Sequence, residues 1–288
     1  MRHNDASMTD VRLPYFDYLL SELNRRNPTI EKSFGRHVHW GYWADPRNAT
    51  HEDDDFAQAA ERLTLELCQL AQITEGGIVL DAGCGFGGTI ASLNERFQRL
   101  QLVGLNIDAR QLKRANQQVP PLHGNSIEFR HGDACDLPFP NGSFDRVLAV
   151  ECIFHFPSRE TFFREAARVL TPGGTLTLSD FVPSPWFRPI CRLGVTRGSR
   201  TINSIGRWDV SATLRQYRHL ARRAGLIPTA ARDITAHTLP TYPYLQHVLA
   251  RDLPHDRGAT VFRHLLGLTR LLGAMGLLNY YLLSFSKP

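Results

Sequence analysis

The chain has 288 residues, of which 42% are hydrophobic and 21% charged, a composition that supports a sizeable globular core and sets disorder aside. Its net charge of +5 is mild and scattered along the chain, too dilute to argue for a nucleic-acid partner. The five cysteines (Cys68, Cys84, Cys135, Cys152 and Cys191) lack the close spacing of a zinc site or of a disulfide framework.

The N-terminal MRHNDASMTD is polar and lacks the apolar stretch of a secretory signal, so a cytoplasmic location is expected. From about Pro14 to Thr74 the pattern is helical, with aromatics clustered between Phe34 and Trp43 and an amphipathic stretch from Asp55 to Ala71. The acids of His51 to Asp55 suit a helix start better than a metal site, because negative charge is favoured at a helix N-terminus.

Between Gly76 and Phe181 short apolar strands alternate with helices. The strands are Ile78 to Ala82, Leu102 to Ile107, Ile127 to His131, Arg146 to Val150 and Thr175 to Phe181. Helices follow the first strand to about Phe97, run on from Ala109, and span Arg159 to Leu170, the last stopped by Pro172-Gly173-Gly174. This alternation implies a parallel sheet covered on both faces.

Val182 to Trp208, rich in Pro, Gly and Arg, reads as an insertion or lid. A helix over Ser211 to Ala224, a strand over Ala230 to Thr235, a helical segment over Tyr244 to Met275 and a closing strand over Tyr280 to Phe285 complete the chain. The apolar tract from Val261 to Phe285 is interrupted by Arg263, His264 and Arg270, so no membrane span is expected. The expected fold is α/β: a Rossmann-like, seven-stranded, mostly parallel sheet with helices on both faces. A helical cap over residues 1–75 precedes a core over 76–288, with a lid insertion at about 182–245.

The segment Val79-Leu80-Asp81-Ala82-Gly83-Cys84-Gly85-Phe86-Gly87-Gly88 joins the first strand to its helix, and Gly83, Gly85 and Gly88 literally satisfy the G-x-G-x-x-G dinucleotide fingerprint. Charge decides what such a turn holds. A dinucleotide would bring its pyrophosphate against the turn, and Asp81 would face two negative phosphates, a contact that costs several kcal/mol in low dielectric. A ligand carrying an ammonium reverses the sign. S-adenosylmethionine has an ammonium, a sulfonium, and a carboxylate that can use the loop amides.

Asp81-x-Gly83-x-Gly85-x-Gly87 resembles the first motif of class I S-adenosylmethionine-dependent methyltransferases, and the likeness runs from about Phe34 to the C-terminus. Val103 to Asp108 resembles the second-strand motif, whose end residue contacts the ribose hydroxyls. Here Asn106 stands where many relatives have an acid, with Ile107 and Gln111 as further cofactor contacts and Asp108 as a fallback. His131-Gly132-Asp133-Ala134 resembles the third motif, which implies that Asp133 accepts the adenine amino group and the Ala134 amide meets the ring. The stretch from His37 to Trp43 is similar to a segment that folds over the cofactor in the small-molecule subgroup, which implicates Trp40 and Tyr42. Its two histidines lack a third ligand at defined spacing, so no metal is expected.

Glu151-Cys152-Ile153-Phe154-His155-Phe156 leaves the carboxyl end of the fourth strand, where open α/β sheets place ligands. His155 is the candidate base, Asp180 would orient it or act itself, and Glu151 is a cofactor-loop residue. The competing reading is that His155 packs against the cofactor and Asp180 caps a turn. Arg188, Arg192, Arg197, Arg200 and Arg207 are either a solvated surface or a clamp for an acidic acceptor. Leu265 to Leu278 either extend a pocket for a hydrophobic acceptor or pack on the sheet.

These residues imply S-adenosylmethionine-dependent methylation of a small molecule in secondary metabolism. O-methylation is ahead because His155 can take a hydroxyl proton. The alternatives are N- or C-methylation of a small, anionic or prenyl-like acceptor, a nicotinamide-dependent oxidoreductase, and a binding protein that keeps the fold. Nucleic acid is not expected as a partner, since no asparagine-proline-proline-tyrosine type motif follows the fourth strand, and a homodimer is left open.

Overall fold

The computed structural model describes residues 13–196, 208–252 and 257–288. Helix α1 (Pro14–Asn24) and α2 (Pro28–Phe34) open the chain, and Asn27 caps α2 by accepting the Thr29 and Ile30 amides. Helix α3 (Asp53–Ala71) begins with Asp53, Asp54 and Asp55 in its first turn, and buries Phe56, Ala59, Ala60, Leu63, Leu67 and Ala71 along one stripe. The acidic run is therefore a helix start. Among the described residues no cluster of His, Cys, Asp and Glu could hold a metal.

Next come β1 (Ile78–Ala82), α4 (Gly88–Arg96), β2 (Gln101–Asn106), α5 (Ala109–Gln118), β3 (Ser126–His131), β4 (Phe144–Val150), α6 (Arg159–Val169) and β5 (Leu170–Pro183). The remainder comprises α7 (Arg188–Thr196), α8 (Leu214–Arg223), β6 (Ile227–Asp233), α9 (Thr235–Thr238), α10 (Thr241–Asp252), α11 (Arg257–Ala274) and β7 (Leu278–Ser286). The sheet order is β3-β2-β1-β4-β5-β7-β6, and β7 runs antiparallel to both β5 and β6.

Strand alternation builds the two cores. Leu80 and Ala82 of β1, Val147 and Ala149 of β4, and Leu176 and Leu178 of β5 enter one cluster with Phe162 and Phe163 of α6 and Tyr217 and Ala221 of α8. Val79, Leu148, Val150 and Phe181 point the other way, into a cluster with Leu63, Leu67 and Ala71 of α3 and Ile90 and Leu93 of α4. Both faces of the sheet are thus covered by helices.

Three expectations change. The Pro172-Gly173-Gly174 stop ends α6 at Val169, but the chain enters β5 at once, and the stop becomes a bulge between the Phe144–Leu170 and Arg146–Thr175 pairs. Residues 182–245 do not form one lid, because α8 packs in the first core and β6 is the outer strand of the sheet. Nor is the segment before residue 75 only a cap, since α3 forms a layer of the second core.

Candidate active site

The strand order reverses direction between β1 and β4, and the carboxyl ends of these strands open into a cleft of about 1000 Å³. The loop after β1 turns because the Gly83 and Cys84 amides both donate to the Leu105 carbonyl, at 2.7 and 3.0 Å. Gly83 has a φ of +90°, and a β-carbon there would lie 2.8 Å from Cys152 Sγ, so both backbone and packing require glycine. At Gly88 a β-carbon would lie 2.4 Å from the Arg36 carbonyl, which shows how closely the segment leaving α2 crosses the start of α4.

Asp81 ends β1 inside this cleft. It is 1% exposed, and neither carboxylate oxygen has a hydrogen-bond partner. Burial pushes its carboxyl up to about 7, and the Thr89 hydroxyl, nearby without bonding geometry, offsets only part of that. A buried carboxylate left bare is costly unless a cation or a donor is supplied from outside. The ammonium of an amino-acid ligand meets that need, whereas a diphosphate would add to the cost.

The end of β2 presents amides. Asn106 Nδ2 donates to Gln111 Oε1 at 2.9 Å, and both side chains are buried. Asp108 is not a free acceptor, because its carboxylate caps α5 at the Arg110 amide and pairs with the Arg110 guanidinium at 2.7 Å. Across the cleft Asp133 Oδ1 accepts the Cys135 amide at 2.8 Å, so Asp133 stabilises its own turn while lining the site beside Ala134.

A strap over residues 36–43 closes one side. His39 Nδ1 donates to the Trp40 carbonyl at 2.9 Å, which makes Nε2 the acceptor for the Thr64 hydroxyl at 3.0 Å. Burial lowers the His39 imidazole to about 3, keeping it neutral. Glu151, in the left-handed region at φ +50°, fastens the strap by accepting the Trp40 amide at 2.9 Å and the Tyr280 hydroxyl. Burial raises the Glu151 carboxyl to about 8. Two further ties run to the C-terminal helices: the Gly41 amide donates to Thr241 Oγ1 at 3.1 Å, and the Trp43 amide to the His237 carbonyl at 2.9 Å.

His155 lines the cleft at the end of the β4 loop, and its Nε2 lies 3.3 Å from the Tyr15 hydroxyl of α1. The two rings are stacked, with centroids 5.9 Å apart. Burial drives the Tyr15 phenol well above its usual range, with the Glu151 charge adding to the effect, so Tyr15 stays protonated.

Gathered at the cleft are Asp81, Gly83, Gly85, Asn106, Ile107, Gln111, Asp133, Ala134, Glu151 and His155. Four sequence candidates lie elsewhere. Gly87 packs against Phe129 and Ala115, where a β-carbon would lie 3.0 and 3.1 Å away. The Trp40 ring meets Phe181 and Tyr242 edge-on and lies outside the cleft lining, while its backbone amide reaches Glu151. Tyr42 stacks on His237 and accepts from Arg232. Asp180, fully buried, is held by Arg159 at 3.1 Å, by Tyr217 and by the Phe181 amide. It belongs to an ion-pair network with Asp209 and does not orient His155. Of the lid arginines, Arg188 and Arg192 lie on α7 outside the cleft lining, and Arg197, Arg200 and Arg207 lie outside the described residues. The residue that sequence reasoning missed is Tyr15. Only its aromatic character beside Phe16 in an apolar helix start hinted at it.

A family model described as "Methyltransferase domain" matches residues 80–178. The chain is 33% identical to the 27-O-demethylrifamycin SV methyltransferase of Amycolatopsis mediterranei, an alignment that covers 90% of this chain and 93% of that protein. It is also 33% identical to the methyltransferase GfsG of Streptomyces halstedii, over 76% of each chain. Among solved structures, the mycolic acid cyclopropane synthase CmaA1 superposes with a TM-score of 0.76 at 16% identity, covering 96% of this chain and 100% of that one. The [4+2]-cyclase SpnF superposes with a TM-score of 0.71 at 21% identity, covering 96% and 95%. These two show the fold alone, and a cyclase among them shows that the fold does not choose the chemistry. The full-length sequence match to a methyltransferase does, and S-adenosylmethionine is the donor that the bare Asp81 carboxylate fits. The chain belongs to the class I S-adenosylmethionine-dependent methyltransferases, in the branch that methylates small molecules.

Proposed function

We propose that this enzyme O-methylates a hydroxyl of a natural product, with His155 as the proton acceptor. The observation that carries this reading is the His155–Tyr15 pair at the mouth of the β4 loop, inside the same cleft as Asp81. Relatives named 27-O-demethylrifamycin SV methyltransferase and erythromycin 3''-O-methyltransferase support it.

In this reading Asp81 receives the donor's ammonium, and the amides of the Gly83–Gly85 turn face its carboxylate. Asn106 and Gln111 meet the ribose, while Asp133 and Ala134 meet the adenine. When bound, the donor supplies an electrophilic methyl on a sulfonium. The chain's part is alignment and proton removal. Glu151 holds the strap shut through the Trp40 amide, which excludes water and keeps the acceptor in line. His155 takes the acceptor's hydroxyl proton at a ring nitrogen, and the Tyr15 hydroxyl fixes the plane of that ring. Asp180 acts at a distance only, by anchoring β5 to α6 and α8 through Arg159 and Tyr217.

The test is a panel of hydroxylated polyketide macrocycles, hydroquinones and matched amines incubated with methyl-labelled donor. Label transfer to oxygen that is lost in His155→Ala, with donor binding retained, is the expected result. Full turnover in His155→Ala would remove the base assignment, and transfer only to nitrogen or carbon would replace the reaction class.

A further inference from the structure

Six of the eight large apolar side chains left exposed among the described residues sit on or beside two helices. Trp186, Ile190 and Leu193 follow one another at helical spacing along α7, and Trp186 is 89% exposed. Leu268, Leu271 and Met275 form a second stripe along α11. The inner residues of both helices, Phe187 and Cys191 on α7 and Leu272 on α11, pack against the same core cluster. The Ser184 amide ties the start of one helix to the end of the other through the Leu277 carbonyl at 2.8 Å. Soluble surfaces scatter single apolar residues, whereas two neighbouring stripes of this kind mark a contact face.

The charge on these helices narrows the partner. Neither α7 nor α11 contains a carboxylate, while Arg188 and Arg192 lie on the first and Arg257, Arg263 and Arg270 on the second. A second copy of this chain would set arginines against arginines across a two-fold axis. Apart from arginine, the one polar side chain at an exposed described position beside the stripes is His264, a thin set of directional hydrogen-bonding groups for a protein partner. Apolar stripes with an exposed tryptophan, flanked by arginine and free of acid, match the boundary of an anionic bilayer. We propose that α7 and α11 seat this enzyme peripherally on an anionic lipid surface. No described helix is long and apolar enough to cross a membrane, so the contact is interfacial.

Flotation of the full-length enzyme, saturated with S-adenosylhomocysteine, on phosphatidylglycerol-containing vesicles tests this against pure phosphatidylcholine. The wild type floats with the anionic vesicles, and high salt releases it. The double variant Trp186→Ser/Leu271→Ser weakens partitioning by about tenfold or more, and Arg270→Gln by roughly fivefold. All three sites are exposed, so the variants keep the wild-type melting temperature and cofactor affinity, which separates this result from any failure of the catalytic assignment. Equal binding to neutral vesicles, or unchanged partitioning in the double variant, overturns the proposal. A wild-type dimer that the double variant dissociates overturns it in favour of self-association. No vesicle binding at all overturns it in favour of an acidic protein partner.

Discussion

Replacing Asp81 by asparagine separates two consequences of one buried carboxylate. In the folded chain without ligand its pKa stands at about 7, because it is desolvated and bare, against roughly 4 in the unfolded chain. A carboxyl with a raised folded pKa binds its proton more tightly when folded. Stability is therefore greatest below the unfolded value and is lost as pH rises towards 7. The full penalty is on the order of 4 kcal/mol above that window. Asp81→Asn escapes it, so the ligand-free variant melts higher than the wild type at neutral pH and nearly equally at acid pH. Donor affinity moves the other way: losing a charge-assisted bond to the ammonium costs about 1.5–3 kcal/mol, or roughly 10- to 150-fold in Kd. Wild-type affinity also rises with pH up to about 7, by at most about tenfold per pH unit, since binding expels a proton, while the variant is flat. Calorimetric titration with S-adenosylhomocysteine across pH, paired with thermal melts, reads both. Equal affinity of the two proteins at neutral pH would refute the pairing of Asp81 with the ammonium.

With an acceptor in hand, His155→Ala lowers kcat by about 10²- to 10⁴-fold with donor Kd unchanged, and steady-state kinetics with labelled donor measures it. Tyr15→Phe lowers kcat by a smaller factor with donor Kd unchanged, because the imidazole loses its hydroxyl partner. Asp180→Asn leaves Arg159 paired with Asp209 alone and weakens the bonds that Arg159 and Tyr217 make to this position; it destabilises the fold by about 1–3 kcal/mol in urea titration, while the folded fraction keeps its turnover. Gly88→Ala forces a methyl against the Arg36 carbonyl and costs about 1–3 kcal/mol, read as a lower melting temperature together with weaker donor binding.

The sheet was legible because its strands carry two periodic faces and its helices carry caps and stops, all local signals. The glycine turn and Asp81 were legible for the same reason, as everything that matters there lies within eight residues. Asp180 was not. Its partners Arg159 and Tyr217 stand 21 and 37 residues away, and only the packing of α6 and α8 reveals that its charge is spent inside the protein. Trp40 was assigned by its ring, yet it serves the site through its backbone amide, which no residue type announces. Tyr15 reaches His155 across 140 residues and belongs to no motif. Within 182–245 the helix and the strand were legible by pattern, but their places in the first core and at the sheet edge were not, because those depend on partners distant in the chain.

The fastening of the strap has a kinetic corollary. Glu151, Thr241 and His237 hold the 40–43 backbone from the far side of the molecule, and the Gly88 contact leaves no slack at the near side. Residues 36–39 of the same strap line the cleft, so these bonds hold one wall of the donor site in place. Cutting one of them, as in Thr241→Ala, is expected to loosen that wall and to speed S-adenosylhomocysteine release in a stopped-flow chase, with methyl transfer from bound donor unchanged.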